Sequence, residues 1–439
     1  MRIIQLTPGS GDTFYCENCL RDGLLVQTIR RAGQDIVMVP MYLPLSRDTA
    51  EAAQTAPLFF GGVNVWLQQK CPLFGKTPRW LDALFDSPLL LKGVRRLAGM
   101  TRAADLGPMT VSMLAGPEGR QAKEVQRLVD FFQQPLHKPD ICIFSNLLLA
   151  GLAGPIKERL QCKLVCWLQD ERGFIEALGM PWSRKVWNRI SELLPLFDMF
   201  ISVSRFYAQV MQECLPIPAE KMAVLPPGID VSLYEQAAVS AQAPTIGFLG
   251  RMCWDNGLDI LQEAFCRIVQ SGSELSKNLR LLICGGRTSA DKKYIERIEK
   301  GFENAGIRQQ VQFMEDFDFQ ARHSFLKQLT VLCTPSRQTP GYAMNVLEAM
   351  ACGVPFAAPN IGVYGEWAQM TGGGILYESN TPLELEKTLR QVLQNPDQLR
   401  RQGTNARTAV QNCFDIRKNA QVLMQRLHEC RDGTKQCSN

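Results

Sequence analysis

The chain has 439 residues, more than one ordinary hydrophobic core accommodates, so its length predicts two domains. Its hydrophobic share of 46% and its charged share of 21% are typical of a soluble globular protein. The formal net charge of +5 permits attraction to anionic ligands or lipid headgroups, but it falls far short of a nucleic-acid-binding signature, and we expect no nucleic-acid partner.

The cysteines and the apolar segments predict a cellular compartment. The 15 cysteines are odd in number and show no framework spacing, which indicates reduced thiols in a cytoplasm. The opening residues MRIIQLT read as a first strand and are too short for the apolar region of a signal peptide. The longest apolar zone, 141–156, is interrupted by Ser145 and Asn146 and is shorter than a membrane span. We therefore expect a cytoplasmic protein.

The N-terminal residues predict a strand, a loop, a helix and a second strand. The strand at 2–6 is followed by a glycine-bearing loop that includes Gly11, then by a helix at about 19–32 and a strand at 35–40. Because glycine lacks a side chain, a ligand could approach this loop closely. The loop is not a GxGxxG fingerprint, and no acidic residue closes the second strand, so a nicotinamide cofactor is not favoured.

Cys16 and Cys19 form a CxxC motif just after the first strand. A zinc site would need two further ligands, and the three histidines of the chain show no matching spacing. A redox role would need a thioredoxin-like unit, which the surrounding pattern does not resemble. We favour a structural or cleft-lining role, and no metal site is expected.

Residues 45–130 are irregular and predict a helical insertion at about 70–130 in the N-terminal domain. Its segment 88–102, PLLLKGVRRLAGMTR, combines apolar residues with four basic ones. Such a segment is typical of a helix at a membrane interface, where it would give peripheral contact with anionic lipid on the inner face. It is equally typical of a helix that packs on its own domain, which we favour.

Three further strands of the first half, at 141–144, 163–168 and 199–203, each end in polar residues. The second leads into Gln169, Asp170, Glu171 and Arg172. Because the carboxyl ends of parallel strands meet at one edge of a sheet, these residues are candidates for a site.

Residues 232–244 are small and polar and read as a linker, after which the strand–helix alternation restarts. Asp318 is a candidate helix N-cap. Strands are expected at 245–249, 279–284, 311–314, 331–333, 354–358 and 374–377, and helices at 258–269, 291–305, 318–328, 342–352, 383–394 and 399–430.

The stretch 334–360, TPSRQTPGYAMNVLEAMACGVPFAAPN, is the most informative part of this half. It predicts a loop and a helix start at the carboxyl end of a strand, where open α/β sheets place ligands. The helix start offers unpaired N–H groups and a positive dipole end, which suit a phosphate. Glu348 shares a helix face with Met344 and Asn345. It could accept hydrogen bonds from sugar hydroxyls, or be an ordinary solvated helix residue.

Four motifs, in this order, resemble the GT-B retaining glycosyltransferases of family 4, the glycosyl transferases group 1. They are PPGID at 226–230, IGFLGRM at 246–252 with NGLDIL at 256–261, LLICGG at 281–286, and the stretch 335–360. The resemblance implies an α/β fold of two Rossmann-like parallel-sheet domains facing a cleft, at 1–235 and 244–415. A C-terminal helix and tail at 416–439 would return toward the N-terminal domain.

The resemblance also implies an activity. A sugar would pass from a nucleotide-diphosphate sugar to a glycan or lipid-linked acceptor, with retention of configuration and without a metal. Arg251 matches the family's diphosphate-binding arginine, and Glu348 matches the glutamate that holds the nucleotide ribose. The amides of Met344, Asn345 and Val346 match the helix start that meets the diphosphate, and Gly11 lies in the loop near the donor.

The chain departs from the family pattern at three positions. Asn256 stands where the family has a diphosphate-binding lysine, and Pro340, or Thr339 with a one-residue insertion, stands where it has a first glutamate. Gln338 is the nearest amide that could substitute there.

The third departure is Gln169, which falls near the family's N-domain histidine. Asp170 or Glu171 could contact sugar hydroxyls instead, or pair with Arg172 as a surface cluster. These losses leave a non-catalytic nucleotide-sugar-binding protein as the alternative function. The nucleotide-sugar 2-epimerases share the two-domain form, but their local motifs are not evident in this chain.

Overall fold

A computed structural model describes residues 1–9, 15–42, 106–237, 243–314 and 316–433. The chain divides into two compact units. The first contains Met1–Gly11, Asn18–Pro226 and Asn419–Asn439, and the second contains Asp12–Glu17 and Pro227–Lys418. Each unit has one six-stranded parallel sheet with helices around it, which confirms the predicted two-domain α/β fold.

The first sheet has the order β2-β1-β3-β4-β5-β6, and all its pairs are parallel. Every residue of the central strand β3 is buried, as expected where helices cover both faces of a parallel sheet. Its strands are β1 (Arg2–Thr7), β2 (Asp35–Pro40), β3 (Ile141–Phe144), β4 (Lys163–Leu168), β5 (Met199–Ser202) and β6 (Met222–Val224).

The helices of the first half follow the strands in alternation. Helix α7 begins after Ser204, whose hydroxyl accepts a hydrogen bond from the Tyr207 N–H as an N-cap. In chain order, the described helices are α1 (Glu17–Arg31), α2 (Gly107–Leu114), α3 (Ala122–Gln133), α4 (Ala153–Leu160), α5 (Glu171–Ala177), α6 (Trp182–Leu193) and α7 (Arg205–Cys214).

The second sheet has the order β12-β11-β10-β7-β8-β9 and is also parallel. From β7 the chain builds β8 and β9 on one side, and it then returns to build β10, β11 and β12 on the other. The strand order therefore reverses between β7 and β10. Its strands are β7 (Thr245–Leu249), β8 (Arg280–Cys284), β9 (Val311–Met314), β10 (Val331–Cys333), β11 (Phe356–Pro359) and β12 (Gly374–Tyr377).

The helices around the second sheet show the expected apolar faces. In α8 the buried residues Leu258, Leu261 and Phe265 recur at helical spacing. Asp318 is the predicted N-cap of α11, since its side chain accepts the Ala321 N–H at 2.9 Å. The remaining helices are α8 (Leu258–Gln270), α9 (Glu274–Lys277), α10 (Lys292–Asn304), α11 (Phe319–Leu326), α12 (Met344–Ala351), α13 (Val363–Thr371), α14 (Pro382–Leu393), α15 (Pro396–Cys413) and α16 (Ile416–Asp432).

The C-terminal region contains two helices where the sequence predicted one. The backbone at Phe414 and Asp415 pairs with Ile229: Ile229 N–H donates to the Phe414 carbonyl at 2.8 Å, and Ile416 N–H donates to the Ile229 carbonyl at 3.2 Å. This tertiary pairing interrupts the helix, and local spacing does not reveal it. Beyond the break, residues Asn419–Asn439 belong to the first unit, where Asn419 Nδ2 donates to the Pro226 carbonyl.

Gly257 lies in the loop after β7 and packs closely against the loop after β10. It has a φ of +71°, and a Cβ at this position would lie 1.9 Å from the Pro335 carbonyl oxygen. Gly272 has a similar φ of +67° but open space around it. Both glycines thus have a left-handed backbone, but only Gly272 has space for a Cβ atom.

We expect Gly272→Ala to lower the free energy of unfolding by about 1 kcal/mol, the cost of a left-handed alanine. Gly257→Ala should cost about 1–3 kcal/mol more, because a backbone carbonyl must also move. Urea unfolding of both variants measures the difference. Equal losses would show that the two loops are not held in this contact.

Candidate functional site

The candidate site of the second unit lies where the strand order reverses, because loops leaving neighbouring strands in opposite directions open a crevice there. The start of α12 is fixed to the end of β7, since Asn345 Nδ2 donates to the Leu249 carbonyl at 2.7 Å. The loop after β7 is also bonded to the loop after β10, since the Arg337 N–H donates to the Asp255 carbonyl at 2.8 Å. The sequence-predicted helix start therefore lies at the switch point.

Two glycines bring the loops after β7 and β8 into backbone contact. Gly285 has a φ of +130°, and a Cβ on it would lie 2.3 Å from the Gly250 carbonyl oxygen. Gly250 N–H donates to the Cys284 carbonyl, and Met252 N–H donates to the Gly286 carbonyl, each at 3.0 Å. Glycine is needed at 285 because no other residue fits between these backbones.

Arg251 follows this glycine contact and is held by an ion pair. Its Nε lies 2.9 Å from Asp291 Oδ2, and its Nη2 donates to Thr288 Oγ1 at 3.0 Å and to Asp291 Oδ1 at 3.1 Å. Burial alone would lower the pKa of Arg251, but the Asp291 carboxylate outweighs it and the pKa is raised. The guanidinium is therefore a fixed, permanent cation.

Thr288 and Asp291 hold Arg251 at the candidate site and were not predicted from the sequence. They form a capping box at the start of the turn before α10, and the Asp291 carboxylate also receives Arg251. The spacing Thr-x-x-Asp after strand β8 was the available signal, because such a box marks a helix start.

Glu348 lies in α12, in which every residue is buried, and its side chain is fully buried. Its Oε1 accepts the Tyr234 hydroxyl at 2.9 Å, and its Oε2 accepts the Tyr15 hydroxyl at 2.7 Å. The Arg322 Nε lies 3.0 Å from Oε1 and 3.2 Å from Oε2. Glu348 is therefore not a solvated helix residue, and its carboxylate is a hydrogen-bond acceptor for hydroxyl groups and for one cation.

The partners of Glu348 were not predicted from the sequence. Arg322 comes from α11 and is buried, with its Nη1 donating to the Phe317 carbonyl at 2.7 Å. Burial and the nearby Glu348 carboxylate raise the pKa of both Tyr15 and Tyr234, so both phenols stay protonated and donate. A single charged residue in a short helix gives no sequence signal of burial, and Tyr15 is 333 residues from Glu348 along the chain.

Three other residues predicted to bind the donor form hydrogen bonds within the protein: Asn256, Gln338 and Val346. Asn256 Nδ2 donates to the Arg251 carbonyl at 2.9 Å, so it shapes the loop and brings no charge. Gln338 Nε2 donates to the exposed Asp255 at 3.1 Å. The Val346 N–H donates to Asn345 Oδ1 at 2.8 Å and is thus used within the helix.

Two more predicted positions concern the helix start and the missing carboxylate. Ala343 precedes Met344 and supplies no side-chain cap. Pro340 has a packing role: its carbonyl accepts the Val363 N–H at 3.0 Å, and a Cβ on Gly362 would lie 2.7 Å from it. Gly11 lies outside the described residues, as does the segment 88–102.

In the first unit, Gln169 is buried just past the end of β4. Its Nε2 donates to Ser145 Oγ at 3.1 Å, and Ser145 Oγ in turn donates to Asp22 Oδ2 at 2.6 Å. The Gln169 Oε1 is buried and has no hydrogen-bond partner among the residues that the structure describes. The carboxyl edge of this sheet therefore carries a polar network that includes Gln169, Ser145 and Asp22.

Glu171 does not contribute to a surface cluster. It is buried, its Oε1 accepts the Leu147 N–H at 3.1 Å, and its Oε2 accepts the Gln169 N–H and the Tyr207 hydroxyl, both at 2.9 Å. Arg172 pairs with Glu176 at 2.6 Å instead. The predicted alternative in which Glu171 pairs with Arg172 is thus wrong, because backbone N–H groups at the strand ends donate hydrogen bonds to the Glu171 carboxylate. Asp170 is exposed at the start of α5.

The described ranges contain neither a metal-binding cluster nor a membrane-spanning helix. No three His, Cys, Asp or Glu side chains in those ranges come together as a metal site. None of the helices described is both long and apolar enough to span a bilayer. In the CxxC motif, Cys16 is half-buried and Cys19 is buried.

Two family models match consecutive parts of the chain. Residues 109–233 match Glycosyltransferase Family 4, and residues 234–409 match Glycosyl transferases group 1. Together with the two parallel-sheet units, these matches show that the chain belongs to the GT-B glycosyltransferases.

Curated relatives align over part of their length. The chain is 28% identical over 192 residues to D-inositol 3-phosphate glycosyltransferase of Corynebacterium urealyticum, covering 40% of this chain and 44% of that protein. It is 23% identical over 189 residues to D-inositol 3-phosphate glycosyltransferase 1 of Catenulispora acidiphila, covering 41% and 45%. The chain thus spans less than half the length of these two relatives.

Solved structures share the fold over nearly the whole chain. Anabaena HepE, in complex with UDP and glucose, has a TM-score of 0.70 at 14% identity and covers 98% of this chain and 100% of its own. Sucrose-phosphate synthase from Thermosynechococcus elongatus has a TM-score of 0.72 at 16% identity, with 99% and 100% covered.

We expect Glu171→Gln to destabilise the protein by about 2 kcal/mol, because an amide nitrogen would face a backbone or hydroxyl donor. Glu176→Gln, the same change on an exposed part of α5, should stay within about 0.5 kcal/mol of the parent. Urea unfolding at neutral pH measures both. Equal small effects would refute the structural role of Glu171.

The stability difference between the parent and Glu171→Gln should also depend on pH. Burial raises the pKa of Glu171 above 4.5, although backbone N–H donors oppose the shift. The folded state thus holds this proton more tightly than the unfolded state, and stability contributed by Glu171 rises as pH falls through the raised pKa. The stability gap between the parent and Glu171→Gln should widen from pH 7 toward pH 4.5. A narrowing gap would contradict the direction of the shift.

Proposed function

We propose that the chain is a retaining glycosyltransferase that binds a nucleotide-diphosphate sugar at the carboxyl edge of the second sheet and transfers the sugar to a glycan or lipid-linked acceptor. The observation that carries the proposal is the buried Glu348 carboxylate at the switch point, which already accepts two hydroxyl groups. The UDP and UDP-glucose complexes of HepE, which has the same fold, support this kind of donor.

The nucleotide would be held at three places. Glu348 would accept the ribose hydroxyls. Arg251 would bind the diphosphate, since a guanidinium offers several donors to phosphate oxygens and does not deprotonate, and Asp291 would hold it in position. The amides of Met344 and Asn345, which the N-cap residue Ala343 cannot cap with its side chain, would meet the diphosphate at the positive end of α12.

No metal is part of the proposed chemistry. Arg251 and the helix start would bear the negative charge of the departing nucleoside diphosphate. Asn256 supplies no cation at the position of the family's lysine, and a missing charge of this kind commonly weakens transition-state stabilisation by about 3 kcal/mol. We therefore expect slow turnover.

The first unit would bind the acceptor at the carboxyl edge of its sheet. The buried Gln169 Oε1 has no hydrogen-bond partner in the described part of the chain, and it is suited to accept a hydrogen bond from a sugar or acceptor hydroxyl. Asp170 is exposed beside it and could accept another. An amide does not titrate, so Gln169 would orient a substrate and would not transfer a proton.

The second candidate function is a non-catalytic protein that binds a nucleotide sugar. It is favoured by Pro340, which is committed to packing against Gly362, and by Asn256, which is committed to the Arg251 carbonyl. Neither position offers the charged group of the family pattern.

The two candidates separate in one assay. The purified protein is incubated with a panel of nucleotide sugars plus lipid or cell extract, and released nucleoside diphosphate is measured. Release above the buffer rate is expected. Measurable nucleotide affinity without release would establish the binding protein and overturn the enzyme.

Arg251→Ala should weaken nucleoside diphosphate binding at least about tenfold, since it removes the charged donors to the diphosphate. Arg390→Ala is the matched control, because Arg390 is also half-buried in this unit and pairs with Glu386. Calorimetric titration of both variants gives the comparison. An unchanged affinity in Arg251→Ala would overturn the diphosphate role.

A further inference from the structure

Tyr15 lies across the same edge of the second unit that carries the proposed nucleotide site. Its N–H donates to the Gly285 carbonyl at 2.9 Å, and its hydroxyl donates to Glu348 Oε2 at 2.7 Å. The Arg322 guanidinium lies 5.3 Å from the centre of its ring. The side chain is buried and extends from the end of β8 to the Glu348 carboxylate.

The Glu348 carboxylate has little acceptor capacity left in this arrangement. A carboxylate offers about four acceptor positions. Each oxygen accepts one tyrosine hydroxyl, and the single Arg322 Nε–H is shared between the two oxygens. A ribose diol donates two hydroxyls, so both can bind Glu348 only after one of the present donors leaves.

Tyr234 and Arg322 are firmly held. The Tyr234 ring packs edge-on against Phe319 at 5.4 Å, and its carbonyl accepts Arg407 Nη1 at 2.8 Å. Arg322 is a buried cation, and its departure would leave Glu348 as an uncompensated buried charge. Tyr15, like Tyr234, is a neutral partner, so its departure removes no charge from the site, and its neighbour Cys16 is half-buried.

We infer that the Tyr15 hydroxyl occupies the position of a ribose hydroxyl on Glu348 and that a nucleotide must displace it. Tyr15 thereby competes with the nucleotide and lowers its affinity. The inference rests on the proposed function, in which Glu348 binds the ribose, and it adds a self-inhibitory contact at that site.

The test is the affinity of UDP, GDP and ADP for three proteins: the parent, Tyr15→Phe and Tyr234→Phe. Tyr15→Phe removes the competing hydroxyl and keeps the ring, so it should tighten binding about three- to tenfold, the value of one hydrogen bond. Tyr234→Phe removes a hydroxyl from the same carboxylate at an anchored position, and it should not tighten binding.

The outcomes distinguish this inference from the function on which it rests. Nucleotide binding that Tyr15→Phe leaves unchanged or weakens overturns the competition alone. Equal tightening by both variants overturns the assignment to Tyr15. No binding by any of the three proteins overturns the proposed function and the inference with it.

Hydrogen–deuterium exchange of the parent protein gives a second readout that needs no variant. Displacement of Tyr15 should weaken its N–H bond to Gly285, so a peptide containing residue 15 should exchange faster when UDP is bound. Slower or unchanged exchange at saturating UDP would overturn the displacement.

Discussion

The second unit depends on the buried ion pair between Glu348 and Arg322. Both side chains are almost entirely removed from water. Removing either one would leave the other as an unpaired buried charge, which costs about 3–5 kcal/mol of stability. The pair fixes α12 against α11, and the two tyrosine hydroxyls complete the carboxylate. A fully buried helix can hold an ionised side chain only because these partners surround it. In the proposed function, the acceptor for a ribose hydroxyl is thus already in place, but Tyr15 must leave before the ribose can bind.

The sheet topology explains why the helix that bears this carboxylate and the loop that bears Arg251 meet at one edge of the sheet. The reversal of strand order between β7 and β10 sends their loops apart, and Asn345 ties the start of α12 to the end of β7. Arg251 comes from the loop after β7, where Gly250 and Gly285 let two backbones touch. Acceptor, cation and helix start therefore share one edge, with no side chains at the glycine contact.

Much of the fold could be predicted from the sequence, because buried parallel strands are continuous apolar runs and amphipathic helices repeat at three and four residues. Strands such as Ile141–Phe144 and Thr245–Leu249 are observed at their predicted bounds. The break at Phe414 and the burial of Glu171 arise from contacts distant in sequence, which local patterns do not carry. The same limit hid the ion pair of Arg322 with Glu348, whereas motifs of a known family single out Arg251 and Glu348 as candidates.

The most direct test of the central claim is a crystal structure of the protein with its tightest-binding nucleoside diphosphate. Ribose hydroxyls within hydrogen-bond distance of Glu348, and diphosphate oxygens against Arg251 and the amides of Met344 and Asn345, are the predicted result. A nucleotide bound elsewhere, with Glu348 still joined to Tyr15, would contradict it.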